Sequence, residues 1–101
     1  MSWQDDLEQL LMAYVADEGL DEGARCLAAE SRWKPAFGDN VLAAIDQAIT
    51  AAKAGDEAVA LLLQRSLGGD REPLSEALSY LGEFKATFLA HLANPAKPPE
   101  A

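Results

Sequence analysis

Carboxylates, one histidine and one cysteine are the residues of this sequence whose types and spacing could carry chemistry. Acids three apart on a helix, as in Asp5/Glu8 and Glu18/Asp21, have the spacing of oxygen ligands for a divalent cation such as Mg²⁺. His91 is the single histidine and Cys26 the single cysteine. Together they are the types of a nucleophile–base pair, although nothing in their sequence positions brings them together. Their ordinary roles are a partly buried histidine near a helix end and a small core residue. A lone cysteine forms no internal disulfide and no cysteine-based zinc site. Gly68-Gly69-Asp70 is too short to be a phosphate-cradling loop, and neither GxxxxGK[ST] nor GxGxxG occurs.

Helical nucleotide hydrolases that depend on metal project acidic pairs inward from long neighbouring helices. Here Glu18/Asp21 straddles Gly19, and Asp5/Glu8 falls on the outer face of the first expected helix. The expectation is a chain without a catalytic constellation, metal or cofactor, with a metal-dependent helical nucleotide hydrolase as the remote alternative.

Charge placement is the sharpest feature. Residues 1–24 contain Asp5, Asp6, Glu8, Asp17, Glu18, Asp21 and Glu22 and no lysine or arginine, whereas residues 25–101 contain ten acids and eight bases. Acids near helix starts complement the helix dipole, which accounts for Asp5, Asp6, Asp21 and Glu22. Asp17 and Glu18 fall at the end of the first helix, where the dipole disfavours them. A solvated face is the ordinary use of such a run; the alternative is a docking surface made by Asp17, Glu18, Asp21 and Glu22.

Trp33 and Phe37 flank Pro35, beside Arg32 and Lys34. One reading folds both rings back as a plug over a thin second helix. The other makes them interface anchors, since Trp and Arg are enriched in binding hot spots. Lys85 falls within an apolar arc of Leu78, Leu81, Leu89 and Leu92, so its ammonium must reach solvent, pair with an acid or meet a partner. Leu61 and Met12 lie off the core faces of their helices.

The elements that position these residues are helical throughout. Ser2 caps a first helix over about 3–18, with Trp3, Leu7, Leu10, Leu11 and Tyr14 on one face. Gly19 stops it. Asp21 starts a second helix, running to about Arg32, whose inward stripe is only Ala24, Leu27, Ala28 and Ser31. Pro35 ends that helix, and residues 33–38 read as a loop. Asp39 or Asn40 caps a third helix with Val41, Leu42, Ile45, Ala48, Ile49 and Ala52 inward, closed by Gly55. Asp56 caps a fourth helix carrying Val59, Leu62, Leu63 and Leu67, ended by Gly68-Gly69. Pro73 opens a fifth helix with Leu74, Ala77, Leu78, Leu81, Phe84, Phe88 and Leu92 inward, and Asn94-Pro95 stops it.

The expected fold is all-α: a bundle or orthogonal array of about five short helices. One domain spans 1–94, and 95–101 form a flexible tail. Composition agrees, because half of the 101 residues are hydrophobic, mostly Ala and Leu, and strand-favouring residues are few. The net charge of -9 opposes binding to nucleic acid and to anionic membranes and favours a partner protein with a basic surface. No stretch approaches the roughly 20 apolar residues of a membrane span, and the N-terminus lacks a secretory pattern. A reducing cytoplasm is the expected location.

In size, acidity and lack of catalytic parts the chain resembles the small antitoxin, immunity and inhibitor proteins of bacteria. The likeness assigns no site residue. It implies a stoichiometric binder that occupies a basic toxin's cleft. The alternative is a helical structural subunit or chaperone acting through self-assembly, for example a homodimer, with Lys85, Leu61 and the thin second helix at the contact.

Overall fold

The computed structural model describes residues 2–70 and 72–93. Asn94-Pro95 as a helix stop and the tail at 95–101 therefore lie outside the described residues. Five α-helices follow in order: α1 Trp3–Leu10, continued by a π-helical turn at Leu11–Val15, then α2 Leu20–Trp33, α3 Pro35–Lys53, α4 Ala58–Leu67 and α5 Leu74–Ala93. The described residues contain no strand, and the fold is the small all-α bundle expected.

The start of α1 is as read from sequence: Ser2 Oγ accepts the Asp5 amide at 3.3 Å. Its end is not. The helix widens at Leu11, where the Ala16 amide donates five residues back to the Leu11 carbonyl at 2.8 Å. In continuous α-geometry, Val15 would point about 80° away from Leu7. The extra residue in the turn brings it back into line, and Leu7, Leu10, Leu11 and Val15 are all buried. Residues 16–18 form a turn rather than a last helical turn, and Gly19, at φ 91°, closes it.

Two helix boundaries also differ from the expectation. α2 begins at Leu20, with Gly19 rather than Asp21 at its cap, and Asp21 lies in the first turn. The expected loop at 33–38 is a single non-helical residue, Lys34 (φ -133°, ψ 85°). Proline bars its predecessor from the helical region but is itself well placed at a helix start. Pro35 thus ends α2 and begins α3 at once. Asp39 and Asn40 lie inside α3 and cap nothing.

The end of α3 follows the expectation, whereas Glu57 rather than Asp56 stands at the cap of α4. The Asp56 amide donates to Ala51 O and the Gly55 amide to Ala52 O, each at 3.0 Å. With Gly55 at φ 89°, this is a Schellman ending. Asp56 Oδ1 accepts the Ala58 amide at 2.9 Å.

α3 is the hub and touches all four other helices, while the most extensive pairing is between α2 and α5. The thin stripe expected for α2 is buried, with Gly23 added to Ala24, Leu27, Ala28 and Ser31. Glycine is required at 23, because a Cβ there would lie 2.6 Å from Tyr14 O and 2.7 Å from Val15 Cγ2. Leu7, Leu11, Leu27, Ile45, Leu81, Phe84 and Phe88 are fully enclosed where the helices meet. Among the described residues no helix is long and apolar enough to cross a membrane.

Candidate functional site

The acidic segment is divided by the fold. Asp17 and Glu18 stand exposed on the turn between the π-helical turn and α2, and neither side chain is in an ion pair among the described residues. Asp21 and Glu22 are engaged. His91 Nε2 and Asp21 Oδ1 lie 3.0 Å apart. Arg25 Nε donates to Glu22 Oε1 at 3.0 Å, and Nη2 donates to Oε2. The side-chain bond from Arg25 holds the Glu22 carboxyl below its usual range. Of these four acids only Glu22 is matched by a permanent cation, and Asp17 and Glu18 are the two without a side-chain partner among the described residues.

Trp33 and Phe37, read together from sequence, part company. Trp33 is the last residue of α2 and is 85% exposed. The plug reading fails for it, because the helix runs through to 33 and directs the indole away from the bundle. α2 is covered by α5 instead. Phe37, in the first turn of α3, is half-buried and tilted 53° against Tyr14 at 6.4 Å between ring centres. It lines a groove of about 360 Å³ with Leu10, Tyr14 and Val41. Trp33 also stands far from the acidic turn, about 20 Å from Leu20 along the α2 axis.

Lys85 pairs with an acid: its Nζ lies 2.7 Å from Asp46 Oδ1, joining α5 to α3. With α2 covered and Lys85 partnered, two of the features that suggested a subunit contact are accounted for within one chain. Met12, Leu61 and Leu89 remain exposed.

His91 is fixed to α2 from both sides. Its ring faces Asp21, and its carbonyl accepts from Arg32 Nη2 at 2.7 Å. Cys26 has a different setting, 3.7 Å from Glu22 Oε2 and beside Arg25. Burial, then the Glu22 charge, pushes its thiol above the usual range, the opposite of an activated thiolate. Glu8 of the Asp5/Glu8 pair is held by Arg65, whose Nε donates to Glu8 Oε2 at 2.7 Å. Among the described residues no group of three or more His, Cys, Asp or Glu side chains is placed to hold a metal ion.

Sequence reasoning missed a second acidic surface, where Asp70, Glu72, Glu76 and Glu83 rim a groove of about 400 Å³ between α4 and α5. The spacing of Glu76, Tyr80 and Glu83 on one helical face was the available signal. Against these features, the comparisons with known proteins supply no relative: no family model, curated protein or solved structure matches the chain.

Proposed function

We propose that this chain is a non-catalytic acidic protein-binding module that neutralises a partner protein with a basic surface, in the manner of bacterial immunity proteins and antitoxins. The observation that carries the reading is Trp33, a large aromatic 85% exposed on an otherwise well-packed domain. Such residues are the commonest energetic anchors of protein interfaces. Asp17 and Glu18, exposed and without ion pairs among the described residues, steer the basic partner, an effect that acts mainly on association rate. Phe37 contributes as a wall of the groove beside Tyr14, able to receive a partner side chain rather than to project as an anchor. Asp21 and Glu22 add to the field of the turn while held by His91 and Arg25. A partner binding both ends of α2 must span about 20 Å, well within a standard protein–protein interface. The cytoplasm, where a toxin must be silenced before release, is the proposed location.

The test is a tagged pull-down from the native host at low and high salt, followed by kinetics with the recovered partner. Asp17→Lys with Glu18→Lys is expected to slow association and flatten its salt dependence. Trp33→Ala is expected to speed dissociation about 30-fold, equivalent to about 2 kcal/mol. Unchanged association at low salt together with unchanged dissociation would place the docking surface elsewhere.

A further inference from the structure

The groove between the end of α4 and the first half of α5 combines an apolar floor with an acidic rim. Leu63 and Leu67, one turn apart on α4, line it together with Ala77 and Tyr80 of α5. Around them stand Asp70, Glu72, Glu76 and Glu83, all exposed, and none is in an ion pair among the described residues. Arg71 lies outside the described residues; counted from sequence, residues 70–83 still hold four acids against one base. Tyr80 is half-buried, and its ring is tilted against Phe84 at 6.5 Å, which fixes that part of the floor.

We propose that this groove docks a basic amphipathic helix of a partner protein. Glu76 and Glu83 are seven residues apart, about 10.5 Å along the α5 axis. A helix lying beside α5 with Lys or Arg repeating every seven residues meets both carboxylates. Its apolar residues, three or four positions from those bases, then reach Leu63, Leu67 and Tyr80. Charge selects this occupant. A second copy of the chain brings the same net charge of -9, and an anionic lipid surface is repelled likewise. An unstructured polycation neutralises the rim but leaves the apolar floor uncovered. The proposal stands apart from the acidic turn and Trp33, and its test separates the two surfaces.

The probe is a fluorescein-labelled synthetic amphipathic helix of lysine and leucine, titrated by anisotropy and followed by amide shifts in the full chain. The expected result is saturable one-to-one binding at low salt, with shifts concentrated at residues 63–83. Glu76→Lys with Glu83→Lys should weaken it about tenfold. Both side chains are exposed, so this variant should keep the wild-type circular dichroism. Compared at about 0.15 M salt, where the Debye length falls to about 8 Å, Asp17→Lys with Glu18→Lys should leave the affinity within about twofold. A peptide with serine for leucine should lose the binding. Equal binding of the serine peptide, equal weakening by the two charge reversals, shifts that map elsewhere, or no binding at all would each overturn the proposal. None of these outcomes bears on the native partner's use of Trp33.

Discussion

Cys26 and Ser66 show how much a single side chain's surroundings decide. The Cys26 thiol is pushed up first by burial and then by Glu22, so a smaller fraction is thiolate at any pH below its titration. Native protein at pH 8 is expected to react with iodoacetamide several-fold more slowly than the same chain in urea. Glu22→Gln should speed the native reaction, because it removes a charge that opposes the thiolate and releases Arg25, which favours it. Equal native and unfolded rates would refute the assignment. Ser66 is buried in α4, and its hydroxyl has no hydrogen-bond partner among the described residues. Removing an unsatisfied buried group without opening a large cavity is favourable, so Ser66→Ala is expected to gain about 1 kcal/mol in urea denaturation. A loss of that size would mean that the hydroxyl is bonded.

At the scale of elements, two glycines in helices should respond to alanine with opposite signs. Among the described residues, nothing beyond its own helix backbone and chain neighbours lies within 4 Å of where a Cβ on Gly82 would stand. Gly82→Ala should therefore stabilise by about 0.5–1 kcal/mol through helix propensity alone. At Gly23 the same propensity gain meets the Tyr14 carbonyl at 2.6 Å, a backbone atom that moves only if the contact between the π-helical turn and α2 opens. Overpacking of this kind costs about 1–3 kcal/mol, and Gly23→Ala is expected to be net destabilising by thermal melts. The same contact explains what sequence could and could not show. Apolar spacing sufficed for α3, α4 and α5, whose stripes are long and whose ends carry Gly55, Gly68 and Pro73. It failed where tertiary packing overrode local pattern. The π-helical turn at Leu11–Val15 lies against Gly23 of another helix, and no residue in 11–15 announces it. At 33–38 the signal was present but misread, since a proline that stops one helix is equally suited to start the next. For the candidate site, the acidic turn was legible as charge. Whether Trp33 pointed in or out was not, because that depended on whether α2 ran one residue further.

The whole molecule carries its excess charge unevenly but is small, with a radius of gyration of 13.2 Å, so most of its charges lie within a few Debye lengths of one another. Its ion pairs are partly or well exposed and individually contribute little. Self-repulsion from a net charge of -9 should outweigh them. Adding sodium chloride to a low-salt buffer is therefore expected to raise the melting temperature. A fall would show that the pairs dominate.

The dominance of the α2–α5 pairing has a consequence for biogenesis. α2, on which Leu27 is buried, has its most extensive partner in a helix that begins at Leu74. A nascent chain paused before that point can close α2 against the π-helical turn and α3 but lacks its most extensive partner. The last turn of α5, where His91 meets Asp21 and Arg32, follows later still. Helical domains usually fold fast because their contacts are local; this one makes its most extensive helix pairing only after α5 has been synthesised. A chain ending at residue 73 should accordingly stay open to protease while the full chain resists it.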